Sequence, residues 1–395
     1  MRLRKWSIGV YAALGLALCL TGCGQSEQKE TKNQPTTAAV TASAVTDSKS
    51  EGKTLKEAFD GDFKVGVTTT SGYLSEEDRV AQIKENFNSI TMENEMKPES
   101  LLDWDGSEKS KDGMPVIKEE TLEKALKAAQ EAGIPLRGHT LVWYSQTPEW
   151  FFSKKYDPSK GYVDKATMKK RMESYIKQVL TYCKENYPGL VYAWDVVNEA
   201  VGADGNYRTE SMWYETYGDF SYIKDAFTFA RKYAEEGTKL FLNDYNEYIA
   251  QKRDLLYAKV VELYDAGLLD GVGMQSHWDM DFPSVDLFET ALEKYASIDG
   301  IEIQLTEIDM HNTDDSEEGL KKQAERYKEF FDVITKMKRE GKANITSVTF
   351  WGLKDGESWL SGSKGETSYP LLFTDDMEKK PCYDSILEAG KTAQK

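Results

Sequence analysis

The chain is 395 residues long, 40% hydrophobic and 30% charged, an ordinary balance for a soluble globular protein with room for one large domain or two small ones. Its formal net charge of −17 argues against nucleic acid or an anionic membrane surface as a partner, because polyphosphates are held by Lys/Arg clusters. A neutral or weakly acidic ligand fits better, and the 9 Trp and 22 Tyr supply flat faces on which sugar rings stack, although most such residues serve packing.

In chain order, Arg2, Arg4 and Lys5 precede an apolar stretch from Ile8 to Leu20, the form of an export signal. The Leu20-Thr21-Gly22-Cys23 that follows resembles a bacterial lipobox. That resemblance implies removal of residues 1–22 and lipidation of Cys23; an ordinary secretory signal with a chance cysteine is the alternative. From residue 24 to 53 the chain is Ser, Thr, Ala, Gln and Lys with almost no apolar bulk, too little to repay ordering entropy. Residues 23–53 are therefore read as lipidated cysteine and flexible linker, and 54–395 as the folded domain, exported and lipid-anchored to the cell membrane outside the cytoplasm. Cys183 and Cys382 read as separate buried residues rather than a bridge, although an exported protein permits one. No CxxC or HExxH spacing occurs, so no metal and no cofactor are expected.

From about residue 61 short apolar runs alternate with long amphipathic ones. Strands are predicted at 63–69, 89–94, 135–143, 190–198, 239–244, 271–277, 301–307 and 345–351. Helices are predicted at 76–87, 121–132, 165–186, 222–236, 251–266, 287–297 and 318–339, with a closing turn at 386–389. Strands that stay apolar on both faces suit a closed parallel barrel covered by helices, and eight such alternations over about 330 residues read as a single (β/α)8 TIM barrel of the α/β class. A doubly wound open sheet is the alternative, but no Gly-rich turn follows the first strand.

Polar motifs gather at the C-terminal ends of these strands: TMENEMKP, RGHTLVWYSQ, VVNEA, FLNDYN, GMQSHW, LTEIDMH and TFWGLKDGESW. In barrels that rim carries the active site. Two of the motifs end an apolar run with a glutamate, Glu199 and Glu307. Glycoside hydrolysis needs such a pair, one carboxyl protonated and one ionised. Strand alternation puts Asp195, Val197 and Glu199 on one face and Glu307 with Asp309 on another.

These segments, from about residue 57 to 389, resemble family 10 glycoside hydrolases, mostly endo-β-1,4-xylanases. The resemblance implies the eight-fold barrel, hydrolysis of xylan with retention, and carboxyl groups about 5–5.5 Å apart. It makes Glu199 the general acid/base and Glu307 the nucleophile, with His277 and Asp309 as the nucleophile's support. It implies that Asn198 bonds the sugar 2-hydroxyl at the cleavage point, and that Glu93, Asn94, Lys97, His139, Trp143 and Gln146 contact the glycone side. Gln275 would sit with the nucleophile's support, Trp351 and Trp359 would wall the central subsites, and Tyr245 would serve the aglycone side. One departure is visible: many relatives carry His where this chain has Tyr144, whose phenol does not titrate near neutrality. The partners implied are xylan and xylo-oligosaccharides, with the membrane met only through the lipid, no nucleic acid, and the chain a monomer. A β-1,4-glucanase on the same barrel is the nearest competitor. A sugar-capturing lipoprotein of a transporter is the reading from another class, but a binder has no use for Glu199 with Glu307.

Overall fold

Eight parallel strands close on themselves in the computed structural model, which describes residues 53–392. The strands are β1 (Lys64–Thr69), β2 (Ser89–Met92), β3 (Leu136–Trp143), β4 (Val191–Asn198), β5 (Lys239–Asp244), β6 (Gly271–Met274), β7 (Glu302–His311) and β8 (Ile345–Phe350). Each pairs with its successor, and β8 pairs with both β7 and β1, which closes the barrel. The main helices are α1 (Glu77–Asn86), α2 (Glu119–Ala132), α3 (Lys165–Asn186), α4 (Ser221–Tyr233), α5 (Ala250–Asp265), α6 (Val285–Ala296), α7 (Glu317–Arg339) and α8 (Pro381–Thr392). The expected leader, Cys23 and the linker up to residue 52 lie outside the described residues.

Helix signals in the sequence are local and mostly realised. Asp164 caps α3 by accepting from the Thr167 amide at 2.8 Å, satisfying a donor that the first turn leaves unpaired. The same helix buries Met168, Met172, Tyr175, Ile176, Val179 and Cys183, a three-and-four spacing that makes one apolar stripe against the barrel. Ser316 caps α7, with Glu317 and Glu318 in its first turn and Lys336, Lys338 and Arg339 in its last, charges placed to oppose the helix dipole. The closing turn expected at 386–389 is the middle of the longer α8, which lies against α7. A two-stranded antiparallel pair, Leu102–Asp103 with Val116–Ile117, was not expected; two-residue strands carry no periodicity to read. Cys183 and Cys382 are both buried and free of disulfide.

The barrel interior is not wholly apolar. Arg137 of β3 pairs through both terminal nitrogens with buried Asp195 of β4, and its Nε donates to Gln304 of β7 at 2.9 Å. Small residues make room for large ones: a Cβ on Gly138 would stand 2.3 Å from the Trp194 ring.

Three register shifts fall at the C-terminal ends of strands, between His139 and Val142, between Asp195 and Val197, and between Leu305 and Ile308. An unpaired extra residue inverts the alternation beyond it. Asp195 and Asn198 thus bond inside the barrel while Val197 joins the apolar cluster, which corrects the single face expected for Asp195, Val197 and Glu199. The runs also end differently from expectation. β2 stops before Glu93, and β7 runs on to His311. The run at 271–277 breaks after Met274 and resumes as a short strand at His277–Asp279, because Ser276 takes a left-handed φ of 61°.

Candidate active site

The strand ends converge on one cavity of about 570 Å³, within the size range of small-ligand sites. Every site residue singled out from the sequence lines it except Asp309, which is fully buried behind His277. Cys23 is outside the described residues. Tyr144 and Asn246 join the lining, as do Asp279, Leu360 and Lys364.

Glu199 lies one residue beyond β4 with φ 56°, a left-handed backbone uncommon outside glycine. Its amide donates to the Asn243 carbonyl at 2.8 Å, and its Oε1 accepts from Gln275 Nε2 at 3.1 Å. Burial pushes its carboxyl above the usual carboxylate range, helped by the charge of Asp244 and then of Glu307, since a second negative charge nearby disfavours ionisation.

Glu307, inside β7, meets the opposite surroundings. Burial alone would raise it, but the His277 imidazole, His139 and the Asn243 amide hold it down to about 2. His277 Nδ1 is 2.8 Å from Asp309 Oδ1 and its Nε2 is 3.3 Å from Glu307 Oε2. Burial opposes the charged ring, yet Asp309 and Glu307 together lift it to about 10. Asn243 Nδ2 donates to Glu307 Oε1 at 2.7 Å and to Asn198 Oδ1 at 2.9 Å. Gln275 Nε2 donates to the same Asn198 oxygen at 3.2 Å. A line of amides therefore links the two carboxyls, Glu199 to Gln275 to Asn198 to Asn243 to Glu307.

That line corrects one expectation. Gln275 turns its side chain toward Glu199 and Asn198, and meets Glu307 only through its carbonyl, which accepts the Glu307 amide at 2.9 Å. Elsewhere on the wall, Lys97 Nζ donates to Gln146 Oε1 at 2.9 Å and to Asn94 Oδ1 at 3.1 Å, and stands 5.0 Å from the Trp143 ring centre. Burial pushes this lysine below its usual value, against the pull of Glu307, Glu93 and Glu199. His139 is held by Asp195, Nδ1 to Oδ2 at 2.9 Å. Trp359 donates Nε1 to Asp309 Oδ2 at 2.9 Å, which fixes an indole that is otherwise 43% exposed. Trp351 sits just beyond β8, its ring edge-on to His139.

Glycosyl hydrolase family 10 matches residues 54–389. The chain belongs to that family. Relatives of this family-10 domain include endo-1,4-beta-xylanase B of Butyrivibrio fibrisolvens, 46% identical over 85% of this chain and 53% of that enzyme. A putative endo-1,4-beta-xylanase of Caldicellulosiruptor saccharolyticus is 43% identical over 75% of this chain and 97% of its own length. The chain thus spans about half of one such relative and nearly all of the other. Among solved structures, the Clostridium thermocellum xylanase 10B modules complexed with xylohexaose align with TM-score 0.77 and 37% identity, covering 85% of this chain and 67% of theirs. An intracellular xylanase of Thermoanaerobacterium saccharolyticum, a mutant complexed with xylotetraose, aligns with TM-score 0.75 and 35% identity, covering 85% and 98%.

Four polar residues of the family-10 site escaped the sequence reading. Asn243 and Asp244 stand in the FLNDYN motif, where only Tyr245 was singled out. Lys252, buried and 2.7 Å from Asp244, and Arg208 lie on a helix and a loop with nothing in their spacing to mark them. Among the described residues no cluster of His, Cys, Asp and Glu could hold a metal ion.

Proposed function

We propose that this family-10 domain hydrolyses internal β-1,4-xylosidic bonds of xylan with retention of configuration, Glu307 acting as nucleophile and Glu199 as general acid/base. The observation that carries the reading is the pair of carboxyls on one cleft with unlike proton affinities, Glu199 raised and Glu307 lowered. Two carboxyls driven apart by their surroundings mark the proton donor and its ionised partner, here the nucleophile. Glu307 attacks the anomeric carbon while Glu199 gives its proton to the departing oxygen, leaving a covalent glycosyl-enzyme. Glu199, now ionised, takes a proton from a water whose oxygen bonds to the anomeric carbon, breaking the bond to Glu307 and releasing the sugar. His277 donates toward Glu307 and keeps it charged. Lys97, Glu93, Asn94, His139, Trp143 and Gln146 grip the glycone, and Trp351 and Trp359 wall the subsites around the cleavage point. The same reading makes residues 1–22 an export signal, Cys23 a lipid anchor and residues 24–53 a tether.

The test incubates the purified chain with xylan, with carboxymethyl-cellulose and with buffer alone, and measures new reducing ends. Release from xylan that falls at least about 1,000-fold in Glu307→Gln supports the assignment. Cleavage of the cellulose derivative instead moves it to a β-1,4-glucanase, and sugar binding without cleavage moves it to a capture protein.

A further inference from the structure

We infer that Arg208 is the positioning residue for Glu199, its guanidinium spanning the glutamate's backbone and the Tyr245 phenol while resting on Tyr144. This rests on the reading of Glu199 as acid/base. Val201 pairs with Tyr207 in a narrow fold-back, and the Arg208 amide donates to the Ala200 carbonyl at 3.1 Å, which returns Arg208 to the foot of Glu199. There Nε donates to the Glu199 carbonyl at 2.9 Å, one terminal nitrogen donates to the Tyr245 hydroxyl at 2.8 Å, and that nitrogen is 3.8 Å from Glu199 Oε2. The guanidinium carbon lies 3.8 Å from the Tyr144 ring centre and 5.7 Å from that of Tyr245.

A glutamate at φ 56° persists only where its neighbours over-determine it. Arg208 supplies the bond to its carbonyl. Asp244 Oδ2 accepts from the Val201 amide at 3.1 Å, and Lys252 Nζ donates to the Val201 carbonyl at 2.9 Å, fixing the next residues. Only a planar fork makes these contacts together, so lysine is not an equivalent. Tyr144 thereby serves as a platform for a cation.

The charged groups facing Glu199 are Asp244 with its partner Lys252, Glu307, Lys97 and Arg208; the phenols of Tyr144 and Tyr245 complete the surround. Among them Arg208 is a cation beside the acid/base itself, so its loss raises the proton affinity of Glu199 as well as freeing its direction.

The experiment measures kcat/KM against pH for Arg208→Met and Arg208→Lys on aryl β-xylobiosides whose leaving groups run from dinitrophenyl to phenyl. Arg208→Met is expected to move the basic limb up by about one pH unit. Its rate loss should grow from under about 3-fold with dinitrophenyl to about 100-fold with phenyl, because only a poor leaving group needs a well-aimed proton. Arg208→Lys keeps the charge, so its limb should stay within about 0.5 unit while the leaving-group dependence remains. Equal loss across all leaving groups with an unmoved limb in both variants would overturn the inference. If Arg208→Met does not fold, as judged by thermal unfolding, the leaving-group dependence of Arg208→Lys decides alone. Glu199→Ala is run alongside. If its losses too are equal across leaving groups, the assignment of the acid/base fails; if they grow toward phenyl while those of both arginine variants do not, only the role of Arg208 fails.

Discussion

His277 serves two carboxylates through one ring, and that arrangement ties stability to pH. Glu307, held down to about 2 against an ordinary 4.5, contributes stability that is present above pH 4.5 and lost as pH falls through about 2. His277, raised to about 10 from 6.5, contributes stability that is complete below pH 6.5 and lost as pH rises through about 10. Both contributions are therefore whole between about pH 4.5 and 6.5. Replacing the ring by an amide leaves Glu307 and Asp309 without their cation, and removing one partner of a buried pair costs about 3–5 kcal/mol. His277→Gln should thus lose on the order of 3 kcal/mol in urea unfolding at pH 5.5, and the gap from the unsubstituted protein should narrow as the pH approaches 10. A gap of the same size at both pH values would show that the ring is not charged in the folded state. In activity the same variant should lose xylan turnover chiefly through kcat, because the carboxylate it orients is the one proposed to act in the transition state.

At the scale of elements, β6 shows how a bare strand aims side chains from its neighbour. A Cβ on Gly271 would stand 2.3 Å from the Phe241 ring, and one on Gly273 would stand 2.3 Å from Asn243 Oδ1. Phe241 and Asn243 of β5 thus occupy the space that β6 leaves empty, and Asn243 uses it to reach Glu307. Gly273→Ala is expected to cost about 1–3 kcal/mol through overpacking. It should also lower kcat on xylan by about 10-fold or more, since removing a placed polar contact to a reacting group costs that much. Unchanged turnover alongside the stability loss would show that Asn243 does not orient Glu307 for the role proposed for it. The eight barrel strands were legible because buried parallel strands read as continuous apolar runs between amphipathic helices, and α3 was readable to both ends. Glu199 and Glu307 were legible because charges at the exit of such runs have no structural reason to be there. Gly271 and Gly273 gave no such signal, since their need lies in side chains of another strand. Arg208 and Lys252 are isolated charges in a chain with 50 Lys and Arg, and only tertiary contacts distinguish them. The register shifts at Asp195, His139 and Leu305 were hidden too, because strand alternation assumes a regular ladder.

At the scale of the whole molecule, the described residues contain no helix long and apolar enough to cross a membrane, and the proposed attachment is through Cys23. The chain's first 22 residues have the charged start and apolar middle of an export signal, and Cys23 follows the small residue Gly22. One acyl chain binds membranes only marginally and reversibly, so the proposed anchoring through Cys23 calls for more than one chain or for a second signal. Expressed in a bacterium that processes lipoproteins, the chain should sediment with membranes, resist extraction by high salt and release with detergent. Cys23→Ser should leave it in the soluble fraction, while the xylan turnover of each molecule stays within about 2-fold, because the cleft is built from residues far from the anchor in sequence. Membrane sedimentation that survives Cys23→Ser would show that something other than a lipid on this cysteine holds the protein, and a soluble unsubstituted chain would show that the leader acts as an ordinary secretory signal.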